Sequence, residues 1–154
     1  MRSGLPKTRV FGVGNPFRRD DGVGFAVIER LRTTRSLEIV AETSSLADLI
    51  EPMRECEKMI LIDAATGLKE GQIMYLDALR EALPQFSNLS SHTLCLTQVI
   101  GIARALGILP QELVVYAIGG MDFSFGEGLS PKVERAAAEV AGRIVAECTQ
   151  GLCT

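Results

Sequence analysis

Gly12-Val-Gly-Asn-Pro-Phe-Arg-Arg-Asp-Asp-Gly-Val-Gly24 decides how this chain reads. Before it, Thr8 to Val13 is short and rich in β-branched residues, the pattern of a buried first strand. After it, Val23, Ala26, Val27 and Leu31 recur at i, i+3, i+4 and i+8, one face of a helix. The stretch is therefore a strand-to-helix turn. A dinucleotide-binding turn needs glycine at three positions, and the third is occupied here by Phe17. Asp20 and Asp21 stand at the helix start, where a phosphate would have to sit and where carboxylates repel it. No Gly-Lys-Ser/Thr follows either, so the phosphate-loop pattern also fails. What remains is a carboxylate-bearing loop, with Asp20 or Asp21 expected to cap the following helix.

Working outward, the chain alternates strands and helices. Leu37–Glu42 reads as a second strand, and Ser45–Glu55 as a short helix that Pro52 ends early. Met59–Ile62 is a continuous apolar strand that stops at Asp63-Ala-Ala-Thr-Gly67. Gln72–Leu76 follows as a fourth strand, returning as a hairpin through Gly67 to Gly71. A helix is expected from Leu94 to Gly107, and a fifth strand over Leu113–Ile118. MDFSFGEGLSP then connects, with two exposed phenylalanines, to a last helix that opens at Ser130-Pro131. Val133, Ala136, Ala137, Val140, Ala141, Ile144, Val145 and Cys148 form its apolar stripe. This order predicts an α/β three-layer sandwich: a twisted, mostly parallel five-stranded sheet with one antiparallel strand and helices on both faces. A single domain over residues 1–154 is expected, since no linker, repeat or low-complexity segment divides the chain.

Composition narrows the function classes. A net charge of −3 offers no general attraction to polyphosphate, so a nucleic-acid partner is not expected. No apolar run approaches the ~18 residues that span a bilayer, and MRSGLPKTRV lacks the apolar core of a secretory signal. Cys56, Cys95, Cys148 and Cys153 form no CxxC pair and read as reduced thiols of a cytoplasmic protein.

Three residues carry candidate chemistry. Asp21 lies in the opening loop, Asp63 follows a buried strand, and His92 is the single histidine, in Ser-Ser-His-Thr ahead of a helix. Each by itself has an ordinary structural use, as a cap, a turn or a core imidazole. Converging at one sheet edge, carboxylate oxygens and an imidazole nitrogen form a donor set for a borderline divalent ion such as nickel or zinc. Three ligands leave coordination positions open for substrate. Arg18-Arg19 reads first as a solvated turn, and otherwise as a contact for a carboxylate-bearing substrate. Gly126-Glu-Gly-Leu-Ser-Pro131 reads as a turn and helix start, and only secondarily as a pocket rim.

GVGNPFRRDDGVG, LIDAATG, SSHTL and GEGLSPKV resemble, in that order, the blocks of the hydrogenase maturation endopeptidases, and the resemblance runs over nearly the whole chain. It implies a cytoplasmic enzyme, a single peptidase domain and a monomer, that removes a C-terminal extension from the precursor of a nickel–iron hydrogenase large subunit. Cleavage would follow nickel insertion, with nickel carried by the substrate as the recognition element. The family's metal-contacting positions fall on Asp21, Asp63 and His92, which are thus the candidate catalytic residues and nickel ligands. Two departures stand out. Asp21 is one methylene shorter than the glutamate frequent at its position, and Gly120-Met121-Asp122 replaces a segment that commonly carries Glu or Gln before Pro. Two rival readings stay open beside the nickel-directed one. One is a metal-independent carboxylate protease in which Asp21 and Asp63 share a proton. The other is a non-enzymatic nickel or large-subunit chaperone docking through Phe123–Phe125.

Overall fold

The computed structural model describes residues 8–33, 40–84, 86 and 95–152. β1 (Thr8–Val13) leads through a 3-10 turn (Arg19–Gly22) into α1 (Val23–Leu31), then β2 (Val40–Thr43). A second 3-10 turn (Leu46–Leu49) continues into α2 (Ile50–Arg54). β3 (Lys58–Ala65), β4 (Ile73–Asp77), α3 (Leu96–Leu106), β5 (Glu112–Gly119) and α4 (Pro131–Leu152) complete the order. The strands form one five-stranded sheet in the order β2-β1-β3-β5-β4. All neighbours are parallel except β4 and β5. The α/β fold with one antiparallel strand is as the sequence predicts.

Successive side chains of a strand point to opposite faces, so each strand feeds two cores. Val10, Ile60, Ile62, Val114 and Ile118 pack with Val27, Ile28 and Leu31 of α1 and with Val133, Ala137, Val140 and Ile144 of α4. Phe11, Val13, Met59, Leu61, Leu113 and Val115 pack with Leu49 and Met53 on one side and Leu96, Val99 and Ala103 of α3 on the other. The stripe expected on the last helix is buried from Val133 to Ile144, with Val145 and Cys148 partly buried against the same core.

Several expectations need correction. β4 does not return as a hairpin onto β3; it pairs with β5, which lies between them, as in Tyr75↔Tyr116. The reason is burial: β5 is apolar on both faces and needs a strand on each side, whereas β4 exposes Tyr75 and tolerates an edge. β3 does not stop at Asp63 but runs to Ala65, its last residues paired with Ala117, Ile118 and Gly119 of β5. Pro52 does not shorten the second helix. It falls at the third residue of α2, and the helix runs on past it to Arg54. The first residues of the expected second strand, 37–39, lie outside the described residues.

α4 is tied to the sheet by one polar cluster. Glu147 pairs with Lys58 and accepts hydrogen bonds from Tyr75 Oη (3.3 Å) and Tyr116 Oη (3.4 Å). Among the described residues no helix is long and apolar enough to cross a membrane.

Candidate active site

The strand order reverses direction at β1: the chain steps to β2 on one side and to β3 on the other. Such a switch point opens a crevice beyond the carboxyl ends of the strands that flank it, because the helices leave to opposite faces of the sheet. Here those strands are β1 and β3. The loop after β1 carries Asp21, and the end of β3 carries Asp63.

Glycines bring these pieces together. A Cβ on Gly24 would stand 2.5 Å from the Ile62 carbonyl oxygen, so α1 begins in backbone contact with β3, one residue before Asp63. A Cβ on Gly14, whose φ is +145°, would stand 2.0 Å from the Asp21 carbonyl oxygen. That oxygen accepts a hydrogen bond from the Asn15 amide at 3.2 Å, which folds the loop back over the Asp21 turn. The glycines that first suggest phosphate binding therefore serve close backbone packing.

Asp21 and Asp63 are both buried, each 8% exposed. Burial pushes the Asp63 carboxyl well above the usual carboxylate range, and the nearby charge of Asp21 pushes it further; the Ala64 amide, donating to Oδ1 at 2.8 Å, opposes both. The structure thus brings two of the three sequence candidates into one electrostatic unit. Two adjacent buried carboxylates can share a proton or receive a cation. Among the described residues no group of three histidine, cysteine, aspartate or glutamate side chains is poised to hold a metal ion. His92 lies outside the described residues. Phe86, six residues before it in the chain, bridges to Ala65 at the end of β3.

Asp20 departs from its expected role. It is fully buried and does not cap α1, whose N-cap is Gly22 with no side-chain hydrogen bond to the helix start. Instead Oδ2 accepts from the amides of Met121 (2.8 Å) and Asp122 (2.9 Å) and from Ser130 Oγ (2.7 Å), and Oδ1 accepts from the Ser130 amide (2.7 Å). Burial works to raise its pKa, but the Ser130, Asp122 and Met121 amides and the Ser130 hydroxyl outweigh it and hold the carboxyl below its ordinary value. The arginines are not simply solvated either. Arg18 Nε donates to the Phe123 carbonyl at 3.2 Å and its guanidinium lies 5.2 Å from the Phe125 ring centre. Arg19 donates to the Glu127 carbonyl and pairs with Asp122 at 3.6 Å. Sequence reasoning missed this fastening of the first loop to the β5–α4 connection, since the partners lie 101 to 110 residues away for Asp20. Of the two phenylalanines expected to be exposed, Phe125 is, whereas Phe123 packs against the α1/α4 core. Phe17, Met121 and Phe125 stand out to solvent around this junction. Cys56 is buried, Cys95 exposed and Cys148 half-buried.

The fold and site together define an α/β protein with a paired-carboxylate centre at the switch point of its sheet. A family model described as hydrogenase maturation protease (HycI) matches residues 26–147. The chain belongs to this hydrogenase maturation protease family, and it is a protease of that class. Solved structures with the same fold include the hydrogenase maturating endopeptidase HybD from Escherichia coli. It is 24% identical, with a TM-score of 0.75 over 94% of this chain and 93% of that one. The NiFe hydrogenase maturation protease HycI from Thermococcus kodakarensis is 22% identical, with a TM-score of 0.71 over 96% and 95%. A hydrogenase 2 maturation peptidase from a Thaumarchaeota archaeon is 22% identical, with a TM-score of 0.64 over 92% and 97%. At these identities the likeness shows the fold. No curated protein sequence is a significant match.

Proposed function

We propose that this protein removes the C-terminal extension of the large-subunit precursor of a nickel–iron hydrogenase after nickel insertion, reading the substrate-bound nickel as its recognition element. The observation that carries the reading is the buried pair Asp21 and Asp63, in which burial first and the Asp21 charge second push the Asp63 carboxyl well above the usual carboxylate range. Such a pair is poorly stable alone and well suited to a cation that arrives with other ligands already attached. Nickel borne by the substrate fits this description. Asp21 and Asp63 would offer it carboxylate oxygens. His92 is assigned as the third ligand from the SSHT block, with one imidazole nitrogen. The chain's part in hydrolysis is then to seat the nickel-bearing peptide and hold its scissile bond against the switch-point crevice. We take residues 1–154 to be one peptidase domain acting as a cytoplasmic monomer.

A second reading has its own support. Two buried carboxylates of which one is pushed up in pKa also form the proton-sharing pair of a metal-independent carboxylate protease. Mass spectrometry of the large-subunit precursor after incubation with the protein separates the two. The nickel reading expects truncation of the nickel-loaded precursor and none of the nickel-free form. Cleavage of the nickel-free precursor at the same rate would favour the carboxylate dyad. A stable complex with no mass change would point to a chaperone. His92→Ala is expected to abolish processing with the melting temperature unchanged, and normal processing by that variant would remove His92 from the site.

A further inference from the structure

Asp21 sits on a turn with a built-in reason to move. The residue two before it, Arg19, adopts φ +45°, the one positive φ outside glycine among the described residues, a conformation that crowds any side chain with a Cβ. Such a turn persists only when its surroundings over-determine it. Those surroundings centre on the residue between them. Asp20 is fully buried, and both its carboxylate oxygens are committed, to the amides of Met121, Asp122 and Ser130 and to the Ser130 hydroxyl. Its own amide donates to the Asp122 carbonyl at 2.9 Å, and the Arg19 amide to the Gly126 carbonyl at 3.0 Å.

The anchor on the far side is firm. Gly120, just before these donors, gives its amide to the Ala65 carbonyl at 3.2 Å, so the β5–α4 connection is attached to the end of the strand that carries Asp63. Ser130 precedes α4 directly, and its carbonyl accepts from the Glu134 amide at 2.9 Å. Asp20 therefore closes a loop of fixed contacts: Asp63 on β3, Ala65, Gly120, Met121, Asp20, Asp21. We propose that Asp20 is a positioning residue, whose carboxylate fastens the strained turn to the β5–α4 connection and thereby holds Asp21 against Asp63. It touches neither substrate nor ion. This inference rests on the reading that Asp21 and Asp63 are the working pair.

The consequence is specific to turnover. Loss of the fastening lets Asp21 drift, and displacement of a reacting group by ~1 Å costs roughly 10²-fold in rate. Substrate affinity, spread over a wider contact, is expected to change little. The test is steady-state cleavage of the nickel-loaded precursor by the full chain. Asp20→Asn and Ser130→Ala are compared with Asp21→Asn and Asp63→Asn, all measured well below their melting temperatures. Asp20→Asn is expected to lower kcat ~10- to 100-fold with KM within about threefold of the parent. Ser130→Ala removes one of the four bonds and should lower kcat by about two- to fivefold, again without a KM change. If Asp20→Asn does not fold, Ser130→Ala decides the matter. A folded variant with full kcat, or a loss that falls only on KM, overturns the positioning role. Should Asp21→Asn and Asp63→Asn cleave normally, the site reading itself fails. If those two are dead while Asp20→Asn and Ser130→Ala keep full kcat, only the inference about Asp20 fails.

Discussion

Replacing Gly24 with alanine should both weaken the fold and slow the enzyme, against the usual effect of that change in a helix. Alanine in place of a helical glycine ordinarily stabilises by roughly 0.5–1 kcal/mol. At Gly24 the new Cβ would meet the Ile62 carbonyl oxygen at 2.5 Å and the Val13 amide and carbonyl at 2.8 Å. All three are backbone atoms of β1 and β3, which cannot swing aside as a flexible side chain would. The start of α1 must retreat by about 1 Å, and overpacking of this kind costs ~1–3 kcal/mol. Net of the helix gain, a destabilisation of about 1–2 kcal/mol remains, equivalent to roughly 2–8 °C in melting temperature for a chain of this size. Because the Arg19–Gly22 turn runs straight into α1, the same retreat carries Asp21 away from Asp63, and kcat should fall by ~10-fold or more. Urea titration with an unchanged m-value and the precursor-cleavage assay read the two effects. Gly101→Ala is the control: it lies in α3 with nothing within 4 Å of its added Cβ and should be neutral to stabilising. A Gly24→Ala protein as stable and active as the parent would refute the claim that these glycines exist for close packing.

Asp63→Asn should raise the melting temperature of the protein in chelator at pH 7. Burial and the Asp21 charge lift the folded-state pKa of Asp63 above its unfolded value, so its ionisation opposes folding increasingly as pH rises through that window. Asparagine keeps an oxygen for the Ala64 amide and removes the charge, so the gain should vanish below the ordinary carboxylate pKa; a gain independent of pH would refute the electrostatic cause. At the start of β3, burial works against the Lys58 charge, but the hydrogen bond and charge of Glu147 outweigh it and raise the lysine pKa. That stabilisation is complete below the unfolded value of 10.5 and lost as pH rises through the higher folded value. Glu147→Gln should therefore cost about 1 kcal/mol at pH 8. In denaturation at rising alkaline pH, the difference from the parent should narrow; a constant difference would assign the cost to packing alone.

The elements of this fold were written in local patterns, and the sequence alone determined them. β1 and α1 announce themselves by their periods on either side of Gly12–Gly24, α4 by its stripe from Val133 to Cys148, and β5 by unbroken apolar residues. Asp63 was legible as a carboxylate in the strand end beside small residues, and Asp21 as one of a pair at a helix start. What the sequence left open was which elements meet. Gln72–Leu76 reads as a strand, but whether it lies against β3 or β5 depends on the burial needs of β5, a property of the whole sheet. Which of Asp20 and Asp21 does what depends on partners more than 100 residues away, and a hydrogen bond at that separation leaves no periodicity to read. Tertiary structure alone assigned Asp20 to the β5–α4 connection and put Asp21 beside Asp63. Local spacing specifies backbone conformation, whereas the charge state of a carboxylate is set by what the folded chain packs around it.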